Sequence, residues 1–301
     1  MGFLLTKLAY DSPRALLDLL PELSGISGDE EEDKRGLEIF AADALGNWGK
    51  KDPAAAVAWI RSHGAGFSGS LDEGVKQRIL TGAASRDPGM AFGLLGEMEI
   101  KDRQKAIASI VRGANGAEGR TAALAALRAH LASGDGGGNK EILNAGIGQL
   151  AGKSFREGFG PASNWLENAG LGPGEMTTAG SRLEYYHTIG ETGQWLGWLG
   201  QSLPPDKAGE PVSRIMKRWT EVDYRAAGEW LAAAPEGPAR SASIRTYAGM
   251  ISTHEPETAV KWAMLLPAGE ERDDTLKQIH QNWPKDQTPA RDAFARQHGL
   301  R

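Results

Sequence analysis

The sequence predicts an all-α protein, a right-handed α–α superhelix (a solenoid) of about eight or nine helical hairpins with a period of about 32–36 residues. Three observations predict it. An acidic residue, alanine four positions on and tryptophan seven positions on recur along the chain, most clearly at Glu191…Trp198, Asp223…Ala227…Trp230 and Glu255…Ala259…Trp262, where the tryptophans are 32 apart. Ahead of each acid, apolar residues keep the i, i+3, i+7 spacing of one helix face. No segment shows sustained two-residue alternation with β-branched side chains.

The copies follow in order. Asp11 with Ala15 is a weak first copy. Asp52-Pro53, Ala56 and Trp59 form the next clear one, then Asp87-Pro88, Ala91 and Leu94. A degenerate copy is expected around Thr121–Leu127. Gly158, Ala162 and Trp165 precede Glu191, Trp195 and Trp198, the run already named follows, and Asp286 with Ala290 is a weak last copy. The local chemistry is that of a helix start. Aspartate is a favoured N-cap, and proline fits the first helical position because its missing N–H has no intrahelical partner there. Pro235 and Pro267 then stop the helix. Alanine at +4 and tryptophan at +7 share a face, a small residue beside a large one, which suits close helix crossing. The preceding helix carries the columns Val212/Ile244/Leu276, Ile215/Tyr247/Ile279 and Trp219/Ile251/Trp283. A single hairpin of this kind cannot bury its apolar side, so neighbours must stack and end copies must act as caps. Residues 1–301 are expected to form one helical-repeat domain with a softer junction near 133–140.

Composition narrows the function classes. The chain has 301 residues, 40 % of them apolar, and a net charge of −5, which argues against a nucleic-acid binder. It has no cysteine, so disulfides, zinc thiolates and thiol nucleophiles are excluded. The 40 glycines read largely as helix stops and connections, as in Gly64–Gly66 and Gly134–Gly138. No apolar stretch is long enough to span a bilayer. The run before Lys7 is too short for the apolar part of a signal peptide. A cytoplasmic location is the default, and a periplasmic one follows if an export signal preceded this start.

Motifs that could carry chemistry do not survive inspection. Gly134–Lys140 lacks the Gly-Lys-Ser/Thr order of a phosphate loop, and Asp29–Asp33 lacks the ligand spacing of a calcium loop. The histidines at 63, 130, 187, 254, 280 and 298 form no metal-binding pair, and no nucleophile elbow appears. No catalytic residue, metal or cofactor is expected. Trp59, Trp165, Trp198, Trp230 and Trp262 are expected in the core. Trp195 stands where the other copies have alanine, and is expected as a kink or a pocket wall.

In length and helix–turn–helix design the unit resembles the tetratricopeptide and related α-solenoid class, over nearly the whole chain, and is similar to bacterial proteins with tandem "W…DP..A..W" units. The tetratricopeptide signature W-x2-L-G-x2-Y is not present, whereas its small-residue position is kept at Ala56, Ala227 and Ala259. The resemblance implies architecture, with first helices lining a concave face, and no activity. On those first helices Arg182, Arg214, Arg245 and Lys277 recur every 31–32 residues. With Trp195 they are the candidate partner-binding residues, suited to an acidic protein or peptide segment. Charge reversal at Arg214 and Arg245 is expected to weaken binding without lowering thermal stability. The expected function is a non-catalytic scaffold for a protein or peptide. A groove-based hydrolase of polysaccharide or peptide and a purely structural assembly module are the alternatives.

Overall fold

The computed structural model describes residues 2–23, 30–63, 69–133 and 139–300. Among these, nineteen α-helices and no strand are present, so the chain is all-α. It divides into two compact units, Met1–Leu150 and Ala151–Arg301. The division falls inside a helix. The softer junction expected at 133–140 lies mostly outside the described residues, as do the segments Gly64–Gly66 and Gly134–Gly138 and the side chains of Asp29–Asp33.

Unit 1 contains α1 (Gly2–Asp11), α2 (Pro13–Leu23), α3 (Glu30–Lys51), α4 (Pro53–His63), α5 (Gly69–Ala84), α6 (Pro88–Glu97), α7 (Arg103–Gly113), α8 (Gly116–Ala132) and most of α9 (Asn139–Ser154). Helices α1, α3, α5 and α7 pack on one another in turn, and α2, α4 and α6 pack on the helices that flank them. The acid-proline pairs are built as caps. Asp52 Oδ1 accepts the Ala55 N–H at 3.0 Å and Asp87 Oδ1 accepts that of Met90 at 3.1 Å, each satisfying a first-turn donor. Asp102 caps α7 in the same way, with buried Ala106 four positions on but Ser109 rather than tryptophan at the seventh. The segment expected to hold a degenerate copy lies in α8, seventeen residues long, whose N-cap Asn115 makes no side-chain cap hydrogen bond.

Glycine has a role here that the sequence did not suggest. Gly46 and Gly49 of α3 face Gly82 of α5, and Gly113 of α7 faces Thr81 and Ala84 of α5. A Cβ at Gly49 would sit 2.8 Å from the Ile79 carbonyl oxygen, and one at Gly82 or Gly113 would lie closer still to a neighbouring backbone carbonyl. Gly46, Gly49 and Gly82 are therefore contact points inside helices, and Gly113 makes the same contact at the last residue of α7. They let backbones meet, so that Leu45, Ile79, Leu80 and Ile110 close over the crossing, fully buried.

Unit 2 opens with a 3-10 turn, Phe155–Glu157, then α10 (Phe159–Asn168), α11 (Pro173–Gly180), α12 (Tyr185–Thr188), α13 (Thr192–Ser202), α14 (Pro205–Val222), α15 (Tyr224–Ala233), α16 (Pro238–Ile251), α17 (Pro256–Ala263), α18 (Glu270–Asn282), a second 3-10 turn, Lys285–Gln287, and α19 (Thr288–His298). Helix α14 packs on α16 and α16 on α18, with α15 and α17 lodged against both neighbours. Of the three columns of positions 32 apart, two are buried throughout, and in the third Ile251 and Trp283 are buried while Trp219 is half-buried. Val212, Ile244 and Leu276 are buried, as are Ile215, Tyr247 and Ile279. Ala56, Ala91, Ala162, Ala227 and Ala259 are all fully buried.

Three expectations need correction. The tryptophan column is not uniformly core: Trp165 and Trp198 are buried, whereas Trp59, Trp230 and Trp262 are half-buried. At +7 the side chain leaves the tight alanine crossing, and the large ring reaches the edge of the packed layer. The two end copies slip by one residue. Ser12 and Gln287 occupy the cap positions, and Ala15 and Ala290 are exposed; Leu16, next after Ala15, is buried at one end, and at the other Phe294, seven positions after Gln287, is buried. Finally, the helix expected ahead of Glu191 is broken into α11 and the four-residue α12, with the turn 181–184 between them.

Candidate functional site

The cation row meets mostly intramolecular partners. Arg182 lies in the turn after α11 rather than on a helix, exposed and with no side-chain partner among the described residues. Arg214 of α14 donates to the carbonyl oxygens of Ser181 (2.9 Å) and Leu183 (3.1 Å) and to Glu210 Oε1 (2.6 Å), and faces the Glu184 carboxylate at 3.5 Å. Its guanidinium fork holds the turn 181–184 against α14. Arg245 of α16 pairs with Glu271 of α18. Lys277 pairs with Asp274 one turn earlier at 2.9 Å, and that carboxylate raises its pKa. The 31–32 residue spacing thus places three of the four cations on successive helices, where Arg214 and Arg245 stitch neighbouring elements together.

Trp195 is 0 % exposed and sits in the fully buried alanine column. Gly158 stands where an acid is expected ahead of α10, with φ of +86°, and a Cβ there would face the Glu191 carboxylate. The indole meets Phe159 edge-on at 5.0 Å, Phe155 at 5.3 Å and Trp198 at 5.7 Å, arrangements that suit the aromatic quadrupole. Since Gly158 has no side chain to cap α10, Glu191 does so from 33 residues on: its Oε2 accepts the Phe159 N–H at 2.8 Å. Trp195 is therefore a core anchor and lines neither cleft described below. Its Nε1 has no hydrogen-bond acceptor among the described residues.

Two histidines are tuned by their surroundings. His187 Nδ1 accepts the Glu184 N–H at 3.1 Å, and its ring lies 4.0 Å from Tyr186 and 5.5 Å from Phe155. Burial, aided by Arg156, lowers its pKa. His130 stacks on Phe92 at 4.9 Å with Arg103 Nη2 3.0 Å from its Nε2, and burial and that charge lower its pKa too. No group of three or more His, Asp or Glu side chains is arranged to hold a metal ion among the described residues. No described helix is long and apolar enough to cross a membrane.

The open concavity of unit 2 lies beside the broken helix. A cleft of about 630 Å³ is lined by Tyr185, Glu191, Thr192, Gly193, Trp219, Glu229 and Trp230, among others. Trp219 and Trp230 meet at 5.9 Å with planes 47° apart, forming an aromatic corner. Gly193 permits this, because a Cβ there would overlap the Trp230 ring. Tyr186 and Ile189, each 66 % exposed, adjoin the lining residues Tyr185 and Gly190 in sequence. A second cleft of about 420 Å³ is formed by Glu221, Tyr224, Met250, His254 and Glu255. Sequence reasoning missed the first cleft, although its signal was present: Gly170, Gly172, Gly174 and Gly180 interrupt the stretch where later copies carry an unbroken stripe. Comparison with family models, curated proteins and solved structures finds no match for the chain.

Proposed function

We propose that both units are built from helical hairpins of one tetratricopeptide-like repeat type, about eight or nine copies in the chain, and that the protein is a non-catalytic scaffold for a protein or peptide partner. The shared burial of positions 32 apart supports the repeat. One observation carries the binding role: an aromatic-lined, open cleft stands where the helix pattern breaks, with exposed Tyr186 and Ile189 beside it. Exposed aromatic and aliphatic side chains around a concavity are the usual anchors of peptide recognition. The capping role of Glu191 favours this over the hydrolase alternative, since it engages one of the two lining carboxylates in holding α10.

Panning random displayed peptides against the immobilised chain tests the proposal. Enriched peptides should lose affinity for the Tyr186→Ala and Ile189→Ala variants, and both variants should melt like the parent because the side chains are exposed. Absence of enrichment, or affinity indifferent to both substitutions, rejects it.

A further inference from the structure

The first cleft has a definite charge character. Its ionisable lining residues are Glu191, Glu229 and the phenol of Tyr185, with no lysine or arginine. Glu229 is exposed on α15 and has no ion-pair partner among the described residues. Glu191 Oε2 accepts the Phe159 N–H, and its Oε1 has no partner among the described residues. Arg225, adjacent in sequence to the lining residue Ala226, turns its guanidinium over the Tyr224 ring at 5.8 Å, toward the second cleft. Two opposing fields exist, because the first turn of α13 lines the cleft and the N-terminus of α10 meets Glu191. Each helix N-terminus carries about half a positive charge, against two full negative charges on the carboxylates, so the cleft stays anionic.

We propose that the occupant of this cleft is a peptide segment carrying a lysine or arginine flanked by apolar residues. This rests on the scaffold proposal above and names the chemistry of its ligand. The cation sits at the Trp219–Trp230 corner, where an aromatic face attracts an ammonium or guanidinium group, and Glu229 neutralises it. The flanking apolar residues lie on Tyr186 and Ile189. Acidic segments are rejected by the same carboxylates.

The test scores the panned peptides for charge, then titrates the full chain with fluorescein-labelled Ala-Leu-Arg-Leu-Ala and its Ala-Leu-Glu-Leu-Ala counterpart. Enrichment of basic residues beside apolar ones is expected, with binding of the arginine peptide only, weakened by salt. Glu229→Gln should weaken it by about fivefold, the scale of one partly exposed ion pair. Glu229→Lys should weaken it further, and both variants should keep the parental melting temperature. Enriched peptides without basic residues, equal binding of the glutamate peptide, or affinity unchanged in both Glu229 variants overturns the charge assignment and leaves the scaffold proposal standing. No enriched peptide of any charge overturns both.

Discussion

Replacing Gly82 by alanine should destabilise unit 1, although alanine is the better helix former. Gly82 is in α5, and an added Cβ would lie less than 3.0 Å from the Gly46 carbonyl oxygen of α3, 3.1 Å from the Lys50 nitrogen and 3.2 Å from the Gly49 carbonyl carbon. All three are backbone atoms, so no flexible side chain can swing away. The helices must separate by about 1 Å, a gap that forfeits roughly a quarter to a half of the dispersion energy of each contact it opens. Overpacking of this kind costs about 1–3 kcal/mol, against a propensity gain of about 1 kcal/mol. The net loss expected is up to about 2 kcal/mol, or up to roughly 8 °C in melting temperature for a unit of this size. Gly74 of the same helix is the control, since a Cβ there meets nothing within 4 Å. Gly74→Ala should stabilise by up to about 1 kcal/mol. Urea and thermal melts followed by far-UV circular dichroism compare the two. A Gly82→Ala variant that melts at or above the parent would refute the backbone-contact account.

Further outcomes follow from unit 2. Trp195→Ala should cost about 3–5 kcal/mol, since it empties a fully buried site among the Phe155, Phe159 and Trp198 rings, and denaturant unfolding measures it. Glu191→Ala should cost about 1 kcal/mol through the remote cap on α10, with faster hydrogen exchange at Phe159, whereas an unchanged exchange rate there would deny the contact. Arg214→Glu should lower stability by about 1–3 kcal/mol, because it frees the Ser181 and Leu183 carbonyls and sets a carboxylate beside Glu184 and Glu210; this replaces the expectation that charge reversal leaves stability untouched. His187 has a folded pKa below its unfolded value of about 6.5, so the unfolded chain binds more protons as pH falls through that range. Its contribution to stability is therefore held above that pH and lost on acidification, and His187→Gln should flatten the pH profile of unit 2 melting below neutrality.

Helix positions, capping acids and the small-residue column were legible because each is a local matter. An aspartate before a proline satisfies first-turn donors wherever it occurs, and alanine at +4 selects the buried face by helical periodicity alone. The same logic misplaced the ends by one residue, where Ser12 and Gln287 took over the caps that Asp11 and Asp286 suggested. The cation row was visible as a spacing, but a spacing carries no information about what faces each charge, and the facing groups at Arg214 and Arg245 proved to belong to the fold.

The sequence by itself determined an all-α chain, with the Asp52, Asp87 and Asp223 caps and the buried alanines that follow them, because helical period and capping depend on neighbours within a few residues. Tertiary structure alone decided the rest. It put glycines at helix crossings, sent Glu191 to cap a helix begun 32 residues earlier, buried Trp195 among Phe155, Phe159 and Trp198, and opened an acidic aromatic cleft beside the broken helix. Each of these joins residues from different helices, and such a meeting is set by how the helices pack rather than by any single segment.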